Sequence, residues 1–87
     1  MTIPAPVDGF YLETLDDEIV LLHPHQNIMI YSNQIGALIW RLCDGHRSVD
    51  QIVEILGEAY PEDADQIRVD VTTFIQSLIS RGALEEK

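Results

Sequence analysis

Residues 28–45 read Ile-Met-Ile-Tyr-Ser-Asn-Gln-Ile-Gly-Ala-Leu-Ile-Trp-Arg-Leu-Cys-Asp-Gly, and two periodicities meet inside them. Ile28 to Tyr31 is a short run of β-branched, aromatic and other large apolar residues, which predicts a strand. From Ile35 the apolar positions become Ile35, Leu38, Ile39 and Leu42, the i, i+3, i+4, i+7 spacing of one helix face. Ser32 or Asn33 stands at the switch, where a short polar side chain can accept a hydrogen bond from the first free N–H groups of a helix. Gly45 follows the last apolar turn, a usual place for a left-handed residue. The stretch predicts a strand that feeds directly into a helix. Trp40, the single tryptophan, lies in that helix beside its apolar stripe.

Upstream the pattern is sheet. Pro4 and Pro6 make residues 1–8 an extended arm. A first strand is expected over Phe10–Leu15, a tight polar turn at Asp16-Asp17, and a second strand over Glu18–His23. Pro24 to Asn27 turn the chain into the third strand, Ile28–Ser32. Connections this short favour an antiparallel meander. Downstream the pattern is helix. Ser48-Val-Asp-Gln51 is a capping box, and the helix it starts carries Ile52, Ile55, Leu56 and Ala59 on one side. Pro61 breaks that pattern. A third helix is expected from about Ala64 to Arg81, capped by Asp63 or Asp65. Its core stripe is Ile67, Val71, Phe74 or Ile75, and Leu78, with Val69 and Thr73 off that stripe. Gly82 ends it, and Glu85-Glu86-Lys87 is expected as a solvated tail. The fold class is α+β: a three-stranded antiparallel sheet followed by three helices, winged-helix-like.

The totals narrow the function. Eighty-seven residues make a single domain, 1–87. The formal charge is -10, from 15 acidic and 5 basic residues. Such a surface repels phosphate backbones and anionic lipid, which argues against nucleic-acid or membrane partners. A helix-turn-helix reader needs a basic recognition helix, whereas the third helix here sets Asp63, Asp65 and Asp70 against Arg68 and Arg81. One cysteine allows no internal disulfide. No apolar run is long enough to span a bilayer and no secretory signal pattern opens the chain, so the cytoplasm is the expected compartment.

Catalytic constellations are weak. Cys43 and His46 are three apart, but no orienting residue or oxyanion donors can be named, and a lone cysteine in an apolar turn is ordinarily packing. His23, His25 and His46 do not have a familiar zinc spacing. The carboxylates of Asp16, Asp17 and Glu18, and of Glu62, Asp63 and Asp65, come with no apolar pocket to shift a pKa. No enzyme activity, cofactor or metal is expected. The sheet carries the stronger signal. Its second strand is apolar on both faces, Ile19 and Leu21 against Val20 and Leu22. The third has Ile28 and Ile30 on one face, Met29 and Tyr31 on the other. The chain's own helices can cover one face. The other stays partly exposed unless the N-terminal arm covers it, and exposed apolar surface marks an interaction site.

Leu21-Leu22-His23-Pro24, Asn33, Ala37, Ile39-Trp40-Arg41-Leu42-Cys43-Asp44-Gly45, Val49, Ile52-Val53, Leu56, Asp70-Val71, Phe74-Ile75, Leu78 and Gly82-Ala83-Leu84 together resemble the PqqD-like family. These are the RiPP recognition elements, small domains that bind the leader of a ribosomally made precursor peptide. The resemblance runs from about Phe10 to Leu84. The turn His23-Pro24-His25-Gln26-Asn27 departs from the Tyr-Pro-Glu-Gly-like turn of PqqD proper. A stand-alone leader-binding protein of a lasso-peptide cluster fits equally well. The resemblance implies that a leader peptide adds as a strand at the open edge of the third strand, beside the third helix. Carried over by position, the peptide-binding residues are Asn27, Ile28, Met29, Ile30, Tyr31, Ile67, Arg68, Val71 and Phe74, with Val69, Asp70 and Thr73 near the rim. The implied partners are the precursor peptide and a separate modifying enzyme, such as a radical enzyme, leader peptidase or cyclase. The chain itself would be a monomer or weak dimer. The competing expectation is an acidic winged-helix-like adaptor that meets a folded protein.

Overall fold

The computed structural model describes residues 3–16 and 18–87. Asp17, half of the expected polar turn, lies outside them, as do Met1 and Thr2 of the arm. The element order is β1 (Pro4–Pro6), β2 (Tyr11–Leu15), β3 (Glu18–His23), β4 (Ile28–Ser32), α1 (Gln34–Leu42), α2 (Val49–Ala59), a 3₁₀ turn (Pro61–Asp63), α3 (Ala64–Ser80) and β5 (Leu84–Glu86). The three expected strands are β2, β3 and β4, in that order in one antiparallel sheet.

Asn33 separates strand from helix. Its backbone is extended, and its Oδ1 accepts the N–H of Gly36 at 2.8 Å, satisfying one of the free donors at the start of α1. Ser32 stays in the strand. The β3–β4 turn closes with Asn27 at φ 56°, a left-handed conformation that asparagine tolerates well. The capping box of α2 forms as expected. Ser48 Oγ accepts the Gln51 N–H at 3.2 Å, and Gln51 Oε1 accepts the Ser48 N–H at 2.8 Å. Asp63 sits at the start of α3 but makes no side-chain cap. The 3₁₀ turn leads the chain into that helix instead.

The backbones of the two chain ends pair with each other. The arm is extended as a strand, and the side chains of Glu85, Glu86 and Lys87 stay exposed. β1 pairs with β5 antiparallel, Pro4 opposite Glu86, Ala5 opposite Glu85 and Pro6 opposite Leu84. Val7 N–H donates to Ala83 O at 3.0 Å and Lys87 N–H to Ile3 O at 2.9 Å, extending the pairing at both ends. Gly45 N–H donates to the Pro4 carbonyl at 3.0 Å, so the arm lies against the end of α1. Gly45 is at φ 84°, and a Cβ there would touch the Ala5 side chain. Prolines are admissible in such an edge strand, but Pro-Ala-Pro has no strand signature. Its partner lies 80 residues away, so no local pattern reveals the pair.

The core forms where Leu21 and Ile30 of the sheet meet Ile39 and Cys43, Ile52, Val53 and Leu56 of α2, and Ile67, Val71, Ile75 and Leu78 of α3. On α2 the buried stripe is Ile52, Val53 and Leu56, not the expected Ile52, Ile55, Leu56 and Ala59. Ile55 is 40% exposed, and Val53 at 7% stands in the core instead. On α3 the choice between Phe74 and Ile75 falls to Ile75. Phe74 is half-buried and turned toward the start of α1. Burial of these side chains supplies the main favourable term, about 1.5–3 kcal/mol for each large one.

Strand register divides the sheet. Leu12, Leu21 and Ile30 stand opposite one another and face the helices. Tyr11, Leu22 and Met29, and Glu13, Val20 and Tyr31, share the other face. The arm does not cover that face: Tyr11, Leu15, Met29 and Tyr31 are all exposed. No helix among the described residues is long and apolar enough to cross a membrane.

Candidate peptide-binding edge and groove

β4 is an edge strand. One side of its backbone pairs with β3, from Ile19 opposite Ser32 to His23 opposite Ile28. Among the described residues no strand pairs with its other side. Alternate N–H and C=O groups of Ile28–Ser32 therefore point outward, and an unpaired strand edge is a template for another strand. Ile28 is half-buried and Ile30 buried toward the core, while Met29 and Tyr31 are exposed on the outer face. Asn27 is exposed at the turn that starts the strand.

Where β4 ends, a groove opens between α1 and α3. It has a volume of about 550 Å³ and is lined by Asn33, Ile35, Gly36 and Ile39 on one wall and Val69, Asp70, Thr73, Phe74 and Ser77 on the other. That is within the roughly 300–1,000 Å³ of ligand pockets. Gly36 makes it possible. A Cβ there would lie 3.1 Å from the Phe74 ring and within hard contact of Ser32 Oγ, so a larger residue would push Phe74 outward. Asp70 is the one charged side chain among those lining the groove. Its Oδ1 accepts from Gln66 Nε2 at 3.0 Å on the exposed surface.

The residues named from the sequence divide into four groups. Asn27, Ile28, Met29, Ile30 and Tyr31 form the edge itself. Phe74 lines the groove, together with the rim residues Val69, Asp70 and Thr73. Ile67 and Val71 lie beneath, at 4% and 0% exposure, in the core. Arg68 is on the opposite side of α3, 3.2 Å from Asp50 of α2 and away from the groove. Asn33, Ile35, Gly36, Ile39 and Ser77 were not anticipated as lining it. The spacing 69, 73, 77 with 70 and 74 marks their face of α3, and a glycine early in a helix marks close approach.

Cys43 is buried at the end of α1. Burial first, and the Asp44 carboxylate second, push its thiol up to about 12. Asp44 is itself held below the usual carboxylate range, chiefly by the His46 backbone N–H at 2.9 Å, with Arg47 adding to this from across a 2.6 Å ion pair. A thiol so raised is protonated at neutral pH and is not a nucleophile. His23 is a packing residue. It is 7% exposed, its Nδ1 accepts the Gln26 N–H at 3.2 Å, and its ring meets Phe10 edge-on at 4.9 Å. His25 is exposed, with its ring 6.1 Å from that of His23.

Residues 18–84 match the family model described as Coenzyme PQQ synthesis protein D (PqqD). The chain belongs to the PqqD family. A PqqA binding protein of Rhodopseudomonas palustris strain BisB5 is 36% identical over 67 residues, which are 77% of this chain and 64% of that one. The chain thus spans less than two thirds of the length of that relative. A PqqA binding protein of Methylococcus capsulatus is 34% identical over 82 residues, 94% of this chain and 84% of that one. The Bifunctional coenzyme PQQ synthesis protein C/D of Methylorubrum extorquens is 33% identical over 66 residues, 76% of this chain and 17% of that one. Among solved structures, the PqqD truncation of Methylobacterium extorquens PqqCD, a RiPP recognition element, has a TM-score of 0.74 at 27% identity, covering 94% of this chain and 87% of that one. TbiB1 in complex with the TbiA(beta) leader peptide has a TM-score of 0.73 at 26% identity, covering 93% and 94%. The family match runs from the start of β3 to the start of β5, and the fold shared with the PqqD truncation covers 94% of the chain.

Proposed function

We propose that the chain is a single leader-binding domain. It captures the leader segment of a ribosomally made precursor peptide by strand addition at β4 and presents it to a separate modifying enzyme or protease. The observation that carries this is the unpaired edge of β4 next to a groove walled by α1 and α3. Backbone pairing along Ile28–Ser32 would provide affinity with little dependence on sequence, and the groove would select side chains of the added strand. Val69, Thr73, Phe74 and Ile35 offer an apolar lining, and Asp70 favours a basic side chain at the rim. Ile67 and Val71 fix α3 from below rather than touching the peptide, and Arg68 stays paired with Asp50. The chain supplies no chemistry of its own, in keeping with a thiol held protonated. Two sets of comparisons support the reading: relatives named for binding PqqA, and a similar fold solved with a leader peptide.

The test is a calorimetric titration against leader segments of precursor peptides encoded in the same genome. The proposal expects one leader to bind with a Kd in the micromolar range or below, and that leader names the pathway, pyrroloquinoline quinone or lasso peptide. A folded sample that binds none of them would overturn it. Trp40 is a poor reporter for this purpose, because it lies beside Phe10, with ring centroids 6.4 Å apart, and not among the groove residues.

A further inference from the structure

Strand addition at β4 engages only one margin of the sheet's outer face, yet that face holds most of the large apolar side chains the fold leaves exposed among the described residues. Among the described residues, seven large apolar or aromatic side chains are exposed, and four of them, Tyr11, Leu15, Met29 and Tyr31, belong to this one face. Leu22, half-buried, adds apolar surface between them, whereas Val20 on the same face is fully buried and adds none. Exposed large apolar residues gathered on one face, rather than scattered, indicate a contact surface.

The charges beside it select the partner. Glu13 and Glu18 stand on the same face, next to Leu15, and Asp16 follows in the turn. Residues 10–32 contain no lysine or arginine. A second copy of the chain would bring acid against acid, and an anionic lipid surface would be repelled. A folded protein whose apolar patch is ringed by lysine and arginine is complementary.

Size narrows the choice further. Three strands about 4.8 Å apart and five residues long cover roughly 240 Å². A stable interface needs about 800 Å² from each partner. The patch alone is therefore too small for a permanent complex with any partner and suits a transient one. It is continuous, however, with the edge of β4. A strand added there would send alternate side chains onto this same face, beside Met29 and Tyr31, and enlarge it by about a third.

We propose that the outer face of β2, β3 and β4 docks the modifying enzyme through an apolar patch ringed by basic residues, and that the captured leader strand completes the docking surface. The proposal rests on the strand-addition reading above. Under it, the enzyme would bind the loaded chain in preference to the empty one, and the leader would leave the complex close to the enzyme's surface.

The experiment uses the purified modifying enzyme encoded beside the chain's gene, with the intact chain free or saturated with leader. Binding of enzyme is measured by interferometry and binding of leader by separate calorimetry. The parent chain should bind enzyme at least tenfold more tightly when loaded. Leu15→Glu, and independently the pair Glu13→Lys and Glu18→Lys, should weaken enzyme binding at least tenfold while leader affinity stays within twofold. The reversed pair should also remove most of the salt dependence. None of these residues lies on β4 or in the groove. Equal enzyme affinity for loaded and empty chain, or unchanged enzyme affinity in both variants, would overturn the proposal. So would a parent chain that dimerises in sedimentation through this face and loses the dimer in Leu15→Glu. Failure of the leader itself to bind would show in the calorimetry alone, and would count against strand addition rather than against docking.

Discussion

Filling the groove is the sharpest perturbation of the proposed site. Thr73 lies on the exposed face of α3 and lines the groove of about 550 Å³ across from Gly36 and Ile35. Thr73→Trp places an indole where a side chain of the added strand would enter. Threonine and tryptophan have similar helix propensities, and the site is on the surface, so stability should change by no more than about 0.5 kcal/mol. A leader deprived of that space leaves one large apolar side chain in water. Burying such a side chain is worth about 1.5–3 kcal/mol, which corresponds to roughly ten- to 150-fold in Kd. Calorimetry with the leader that binds the parent chain, run beside thermal melts of both proteins, measures the two quantities separately. Thr73→Ala enlarges the groove and should bind within about threefold of the parent, a change under 1 kcal/mol. A Thr73→Trp protein that melts like the parent and binds leader within the same threefold would refute the groove as the place where the peptide's side chains go.

Other consequences follow from single residues. Asp70→Asn should weaken a leader with a basic residue at the groove rim by up to about 1 kcal/mol, and only at low salt, since the pair would be exposed. A loss that persists at high salt would show that Asp70 acts otherwise. Asn33→Ala removes the cap of α1 and should lower unfolding free energy by about 1 kcal/mol in urea melts. An unchanged midpoint would mean that the bond to Gly36 N–H is not holding the helix start. Cys43 links stability to alkaline pH. Its thiol is raised from 9.0 to about 12 in the folded chain. The unfolded chain therefore ionises first, so the stabilisation is complete below pH 9 and is lost as pH rises from 9 toward 12. The slope approaches about 1.4 kcal/mol per pH unit. Cys43→Ala should show a flatter profile over that window. Parallel profiles would mean that the thiol is hydrated.

The sheet and the helix starts were legible because their signals are local. The β-branched and aromatic run at Ile28, the capping box at Ser48 and the stripe Ile67, Val71, Leu78 each lie within a few turns of chain, and each element formed within a residue or two of its expected bounds. What was hidden depends on distant partners. Pro4–Pro6 becomes a strand only because Leu84–Glu86 lies beside it. Whether Val53 or Ile55 joins the buried stripe of α2 depends on how the other elements pack on it, and Val53 is the one buried. The edge of the candidate site was equally legible, since the last strand of a meander leaves one side unpaired. The groove was half legible. Phe74 and the rim residues named through the resemblance line it, but the opposite wall comes from α1, and Gly36 is informative only once Phe74 is known to approach it. Arg68 shows the limit of helical spacing. Its position one residue from Ile67 left its direction open, and Asp50 on α2 decides it.

Hydrogen exchange at β4, with and without leader, tests the central claim most directly. In the free chain the amides of Ile28–Ser32 that bond to β3 are protected, and those that alternate with them face water. Strand addition predicts that a saturating leader slows exchange at the outward-facing amides of this strand and leaves the outer edge of β2 unaffected. A leader shown by calorimetry to be bound, with exchange along Ile28–Ser32 unchanged, would contradict strand addition and place the peptide elsewhere on the fold.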